Sequence, residues 1–105
     1  MPAISIRPAA RRDLVAHYVY LAENASMEIA ERFFENARIT FAELAERPLI
    51  GAPLTLSRKE LDGLRKWRVS EFEKFLIFYF PRRDGISIVR VLQAAQDWWG
   101  LLGVG

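Results

Sequence analysis

The chain of 105 residues predicts an α+β fold, and three observations carry that reading. Apolar residues recur at helical spacing through residues 9–44. From residue 64 onward the pattern changes to alternating and continuously apolar runs. A short alternating run, Ile4-Ser5-Ile6, precedes both. The predicted order is strand, helix, helix, strand, strand, strand and a short tail. Three consecutive C-terminal strands make an antiparallel meander. Two helices with so short a connection must lie antiparallel, as a hairpin that packs on a mainly antiparallel sheet.

Each element has its own signal. Ile4 to Ile6 lies between Pro2 and Pro8 and reads as the first strand. Pro8 suits the first position of a helix, where its missing N–H costs nothing. The first helix covers residues 9–24, with Leu14, Tyr18 and Leu21 on one stripe and Val15, Val19 and Ala22 beside it. Asn24 and Ser26 break it. Ser26 then caps a second helix, with Glu28 and Glu31 in its first turns. Its apolar stripe is Ala30, Phe34, Ala37, Phe41 and Leu44, and its charged face carries Glu28–Arg32 at i, i+4. Pro48 stops it. Residues 49–63 read as a loop, marked by Gly51, Pro53 and Asp62-Gly63. Residues 64–69 alternate, with Arg65, Trp67 and Val69 on one face and Leu64, Lys66 and Arg68 on the other. Residues 75–80 are continuously apolar, as in a central strand covered on both faces. Residues 81–85 form a turn with Gly85 at its end, and residues 86–92 are the partner strand. Asp97 caps a last helical turn through Trp98 and Trp99.

Size and composition exclude several classes of function. One domain spans residues 1–105, since a chain this short closes a single core. Seven Phe, three Trp and three Tyr supply that core. There is no cysteine, which excludes disulfide staples, Cys-ligated zinc and iron–sulfur sites, and thiol nucleophiles. No uncharged apolar run reaches the roughly 18 residues of a membrane span, and the N-terminus has no signal-peptide core, so a cytoplasmic location with no membrane contact is expected. The net charge is +2, but it is unevenly placed: residues 58–90 hold nine basic and five acidic side chains. A basic C-terminal half suits an acidic partner.

Catalytic chemistry finds little support in the residues. Cutting RNA without a metal needs a base, cations and an acid for the leaving oxygen. Lys66, Arg68, Lys74, Arg82 and Arg90 supply cations; Glu71 and Glu73 are the candidate bases, but both read better as solvated turn residues. The acid is missing, because no His or Tyr follows Tyr79 and Gln93 exchanges no proton near neutral pH. His17 is the single histidine and has no second ligand at a useful spacing, so neither a metal nor another cofactor is expected. No serine-nucleophile motif and no glycine-rich phosphate loop is present. Arg65, Arg68 and Arg90, set among apolar strand residues, need acidic partners. Those are either internal, such as Glu71 or Asp97, or supplied by a bound protein.

Read in order, Ala9-x-x-x-Asp13-Leu14, Ala30-x-x-Phe33, Pro48-x-x-Gly51, Leu64-Arg65-x-Trp67-x-Val69, Phe75-Leu76-Ile77-Phe78-Tyr79 and Gly85-Ile86-x-Ile88-Val89-Arg90-Val91-Leu92, ending in Asp97, resemble the ParE branch of the RelE/ParE toxin superfamily. The resemblance covers residues 4–98. It implies a toxin of a type II toxin–antitoxin pair that poisons DNA gyrase and is silenced by a ParD-like antitoxin encoded nearby, in a toxin–antitoxin hetero-oligomer. The RelE branch instead cuts messenger RNA on the ribosome, and the other alternative the resemblance leaves open is a non-toxic family member that only binds antitoxin. Gln93 and Gln96 stand where many relatives carry His and Arg, which favours the branch without nuclease activity. Direct binding of nucleic acid is not expected without the antitoxin. The antitoxin is expected to dock as a helix in the groove between hairpin and sheet, or as a strand on a sheet edge. Tyr20, Leu21, Trp98 and Trp99 are the expected apolar anchors, and Arg68, Arg82, Arg83 and Arg90 the expected basic contacts.

Overall fold

The two helices obey their end signals. The structure is a computed structural model that describes residues 2–56, 58–96 and 98–102. Helix α1, Pro8–Asn24, starts on its proline behind Arg7, whose side chain caps nothing. Helix α2, Met27–Glu46, starts on Ser26, whose hydroxyl accepts a 3.1 Å bond from the Ile29 N–H. It stops just before Pro48, which cannot continue a helix. The buried stripe of α2 differs from the expected one at one position. Phe33 is buried against Phe72 and Phe75, while Phe34 is 45% exposed. Adjacent helix positions diverge by about 100°, so only one of the two rings faces the sheet. In α1 the stripe likewise runs through Ala10, Leu14, His17 and half-buried Leu21, and Val15 and Val19 are left exposed.

The sheet has five strands in the order β1-β5-β4-β3-β2. They are β1 (Ala3–Ile6), β2 (Ala52–Pro53), β3 (Arg65–Val69), β4 (Phe72–Arg82) and β5 (Gly85–Gln93). The meander β3–β4–β5 is antiparallel, and β1 joins β5 in parallel. Strand β4 runs further than its apolar core, so the predicted five-residue turn shrinks to Arg83 and Asp84. Within the predicted loop, Ala52 and Pro53 pair with β3 as an edge strand, the sheet position that tolerates proline. A short C-terminal helix, α3 (Trp98–Leu101), closes the described fold.

Both faces of β4 are covered. On one face the helices bury Ile77, Tyr79, Ile88 and Val91 against Phe33, Phe41 and Leu44. On the other, Leu64, Phe78, Phe80 and Leu92 are covered by Leu54, Leu56, Leu61, Trp98 and Leu102. Residues 54–64 and the C-terminal segment thus do the work of a third layer. Trp98 is half-buried, its ring 5.3 Å from that of Phe78.

A polar node ties α1 to β5. Strand β1 ends at Ile6, so past Ile88 the outer edge of β5 has no strand beside it. Helix α1 fills the gap with two side chains one turn apart. Asp13 Oδ2 accepts from the Val91 N–H at 2.9 Å, and His17 Nε2 donates to the Val91 carbonyl at 2.7 Å. The pairing of β4 with β5 shifts register here. The bulge turns Arg90 toward the helix, where it forms a bidentate pair with Asp13 at 2.7 and 2.9 Å. Arg90 Nη1 also donates to the Leu101 carbonyl at 3.1 Å. The hydrogen bonds to Asp13 push the guanidinium pKa above its ordinary value. The internal partner of Arg90 is therefore Asp13. Glu71 pairs with Arg32, and Asp97 lies outside the described residues.

A second node anchors residues 48–51. Tyr79 is fully buried; its hydroxyl accepts from the Gly51 N–H at 2.9 Å and donates to the Pro48 carbonyl at 2.8 Å. Burial holds its pKa above the usual tyrosine value. Arg65 donates to the Leu49 and Gly51 carbonyls at 3.1 and 2.6 Å, so this arginine serves backbone oxygens and not a carboxylate. Replacing Tyr79 by Phe removes two hydrogen bonds and leaves a buried N–H unpaired. It should cost about 1–3 kcal/mol in urea unfolding, with the slope unchanged.

Candidate protein-docking surfaces

The hairpin leaves apolar side chains in water. Val15 and Met27 are each 59% exposed, and Phe34 45%. They are organised: the Tyr18 and Phe34 rings meet edge-on at 5.4 Å, and the Tyr18 hydroxyl reaches Met27 Sδ and Glu31 at 3.1 and 3.3 Å. Desolvation first, then the Glu31 carboxylate, raises the Tyr18 pKa. Beside this cluster lies a groove of about 620 Å³. Its apolar lining comes from Ile6 on β1, Leu14 on α1, and Phe34, Ala37 and Phe41 on α2. A smaller hollow of about 350 Å³, between Val15, Tyr18, Glu31 and Phe34, continues it along the hairpin. Such an apolar channel with a charged rim suits a protein segment.

Charges of both signs rim the groove along its length: Arg11, Glu35 and Arg38 where α1 begins, and Glu28, Glu31 and Arg32 toward the start of α2. Arg38 is paired with Glu35 at 2.6 Å, which lowers the Glu35 pKa and raises that of Arg38. Among the described residues, Arg11, Glu28 and Glu31 enter no ion pair.

The eight residues proposed from sequence do not form one patch. Arg82 stacks on Phe80 at 5.0 Å, and Arg83 is exposed in the β4–β5 turn. Arg7 stacks on the same Phe80 ring at 5.4 Å and donates to Ser87 Oγ at 3.1 Å. Tyr20 and Leu21 follow His17, which packs on Phe75 near the opposite end of β4. Seven residues of strand separate Phe75 from Arg82, or about 23 Å. Arg68 lies over the Trp67 ring at 4.6 Å and reaches Glu73 at 4.0 Å. Arg90 is committed to Asp13 but also reaches α3, and Lys66 lies over the Trp98 ring at 5.5 Å. The side chain of Trp99 lies outside the described residues. The groove lining around Phe34, Arg11 and Arg38 escaped the sequence reading, although tandem Phe33-Phe34 on a helix was a signal that one ring must point outward.

The groups best suited to proton transfer are tied into the fold. His17 is buried in its bond to Val91, and Tyr79 in its bonds to Pro48 and Gly51. Glu71 and Glu73 are exposed, in ion pairs with Arg32 and Arg68. Among the described residues no group of His, Asp and Glu is arranged to hold a metal, and no helix is long and apolar enough to cross a membrane.

Over residues 4–98 the sequence matches the family described as the ParE toxin of the type II toxin–antitoxin system parDE, and the chain belongs to that family. The fold is similar to a solved structure titled the chromosomal ParDE TA system from P. aeruginosa. The TM-score is 0.71 at 18% identity, over 89% of this chain and 96% of that one. No curated protein matches the sequence.

Proposed function

We propose that this chain is a toxin that inhibits DNA gyrase by binding it and so blocks replication, and that an antitoxin silences it by covering the hairpin groove and the C-terminal segment. The observation that supports this most is the groove itself: an apolar channel with a charged rim, left open on the isolated chain. The family and the ParDE neighbour favour an antitoxin partner. The commitment of His17 and Tyr79 to structural hydrogen bonds favours a binder over an RNA-cleaving enzyme.

Expression of the chain alone in a bacterium tests the reading. Filamentation and induction of the DNA-damage response are expected, and immediate translation arrest with cut messenger RNA contradicts it. Replacing Glu71 and Glu73 by Gln should leave toxicity within about a few-fold, because neither acts as a base. A loss of orders of magnitude would identify an enzyme. Deleting residues 98–105 removes Trp98 and Leu102 from the Phe78–Leu92 cluster and the Leu101 carbonyl from Arg90. Antitoxin titration should then weaken about tenfold or more, with circular dichroism reporting a folded but less stable domain.

A further inference from the structure

The β4–β5 turn gathers cations on the side of the sheet away from the helices. Ile86 and Ile88 point into the helix-covered core, so Ser87 between them faces the other way. Phe80, its pairing partner on β4, faces the same way. Arg7 and Arg82 both reach the Phe80 ring, their guanidinium carbons 5.4 and 5.0 Å from its centre. Arg7 Nε also donates to the Ser87 hydroxyl at 3.1 Å. The ring is 5% exposed and serves as a fixed base for two planar cations that stay in water. Arg83 follows in the turn, exposed as well. Among the described residues, none of these three arginines pairs with a carboxylate. Asp84, the acid of the turn, is exposed and in no ion pair; its carbonyl accepts from the Ala3 N–H. Two like charges held on one ring repel each other, and a bound anion relieves that repulsion.

We propose that this arginine corner is a contact for the target: an acidic surface of gyrase sets two neighbouring carboxylates against Arg7 and Arg82, with Arg83 beside them. This inference rests on the gyrase-binding reading above. Stacking on Phe80 sets each guanidinium plane and leaves its N–H edge open for a bidentate bond to a carboxylate. Little side-chain freedom is then lost on binding. Duplex DNA fits the corner less well. Three cations beside one aspartate fall short of the roughly six to ten phosphate contacts of a strong DNA binder. The buried Phe80 ring also offers no platform for an unstacked base. The antitoxin fits less well too, because the groove it covers opens on the helix side. Ile6 lines that groove, while Arg7, the next residue, turns to Ser87 and Phe80 on the other side. Arg82 and Arg83, expected from the sequence to face the antitoxin, thereby pass to the target.

The test is a titration of purified gyrase, with and without DNA, by the full chain, by the double variant Arg7→Gln/Arg82→Gln and by Arg83→Glu. Each is also titrated against the product of the adjacent antitoxin gene. Circular dichroism reports folding. Arg83→Glu changes an exposed turn residue and carries the test if the double variant, which uncovers Phe80, is unstable. Affinity for gyrase without DNA should fall about tenfold or more in the double variant and about threefold or more in Arg83→Glu. The difference from the unaltered chain should shrink as salt is added, and antitoxin affinity should stay within about twofold. Unchanged gyrase affinity in a folded variant overturns the proposal and leaves the gyrase reading intact. An equal loss of antitoxin affinity does the same, as does a loss seen only when gyrase carries DNA, which would give the corner to phosphate. Failure of the unaltered chain to bind gyrase in either state overturns the reading and the proposal with it.

Discussion

Replacing Gly85 by Ala is expected to detach β1 from the sheet. Gly85 pairs with Ala3 in the parallel β1–β5 ladder. A Cβ at Gly85 would fall on the Ala3 carbonyl oxygen and 2.6 Å from the Ala3 nitrogen. Both are backbone atoms, so no side chain can swing aside. Relief requires β1 to move, which breaks the 2.7 Å bond from Ala3 N–H to Asp84 and unseats Ile4 and Ile6. A loss of about 3 kcal/mol or more is expected in urea unfolding, with amides of β1 exchanging far faster than those of β4. Gly51→Ala meets the Tyr79 hydroxyl and ring, with Cε1 at 2.7 Å. Tyr79 is fully buried and held by Pro48, so it has little room to give and this substitution should be costly as well.

Asp13→Ala is the second large effect. It strips Arg90 of its bidentate partner and leaves the Val91 N–H unpaired. Removing one partner of a buried pair costs about 3–5 kcal/mol. The side chains here are 21% and 12% exposed, so solvent screening lowers the figure to about 2–4 kcal/mol. Thermal unfolding should fall by roughly 10–20 °C. Asp13→Asn keeps an acceptor for Val91 and should lose less. Adding Arg90→Met to Asp13→Ala should recover part of the loss, since no charge is then stranded. Equal losses for the single and double variants would place the stability elsewhere.

Local signals made most of the fold legible. Ser26, Pro8 and Pro48 mark helix ends through backbone chemistry that needs no tertiary partner. The apolar run at residues 75–80 announced a strand covered twice, which is how Phe78 and Tyr79 lie on opposite faces. Long-range choices were not legible. Periodicity allows Phe33 or Phe34 on the buried stripe, and only Phe72 and Phe75, some forty residues on, decide for Phe33. Asp13 and Arg90 are seventy-seven residues apart, so no spacing rule pairs them. The strand that carries Lys66 was readable, Arg82 was read as part of the turn that follows the central strand, and the distance of the β4–β5 turn from the end of α1 was not legible. Charge composition pointed to a basic partner surface in the meander, whereas the open groove lies on the hairpin, where charges nearly balance.

The central claim is that this chain acts by binding gyrase and not by cutting RNA. It is tested most directly by adding the purified chain to gyrase and relaxed plasmid with ATP, with and without its antitoxin. The account predicts that supercoiling stops, that broken plasmid accumulates, and that antitoxin reverses both. Unimpaired supercoiling, together with cleavage of messenger RNA on translating ribosomes by the same preparation, would contradict it.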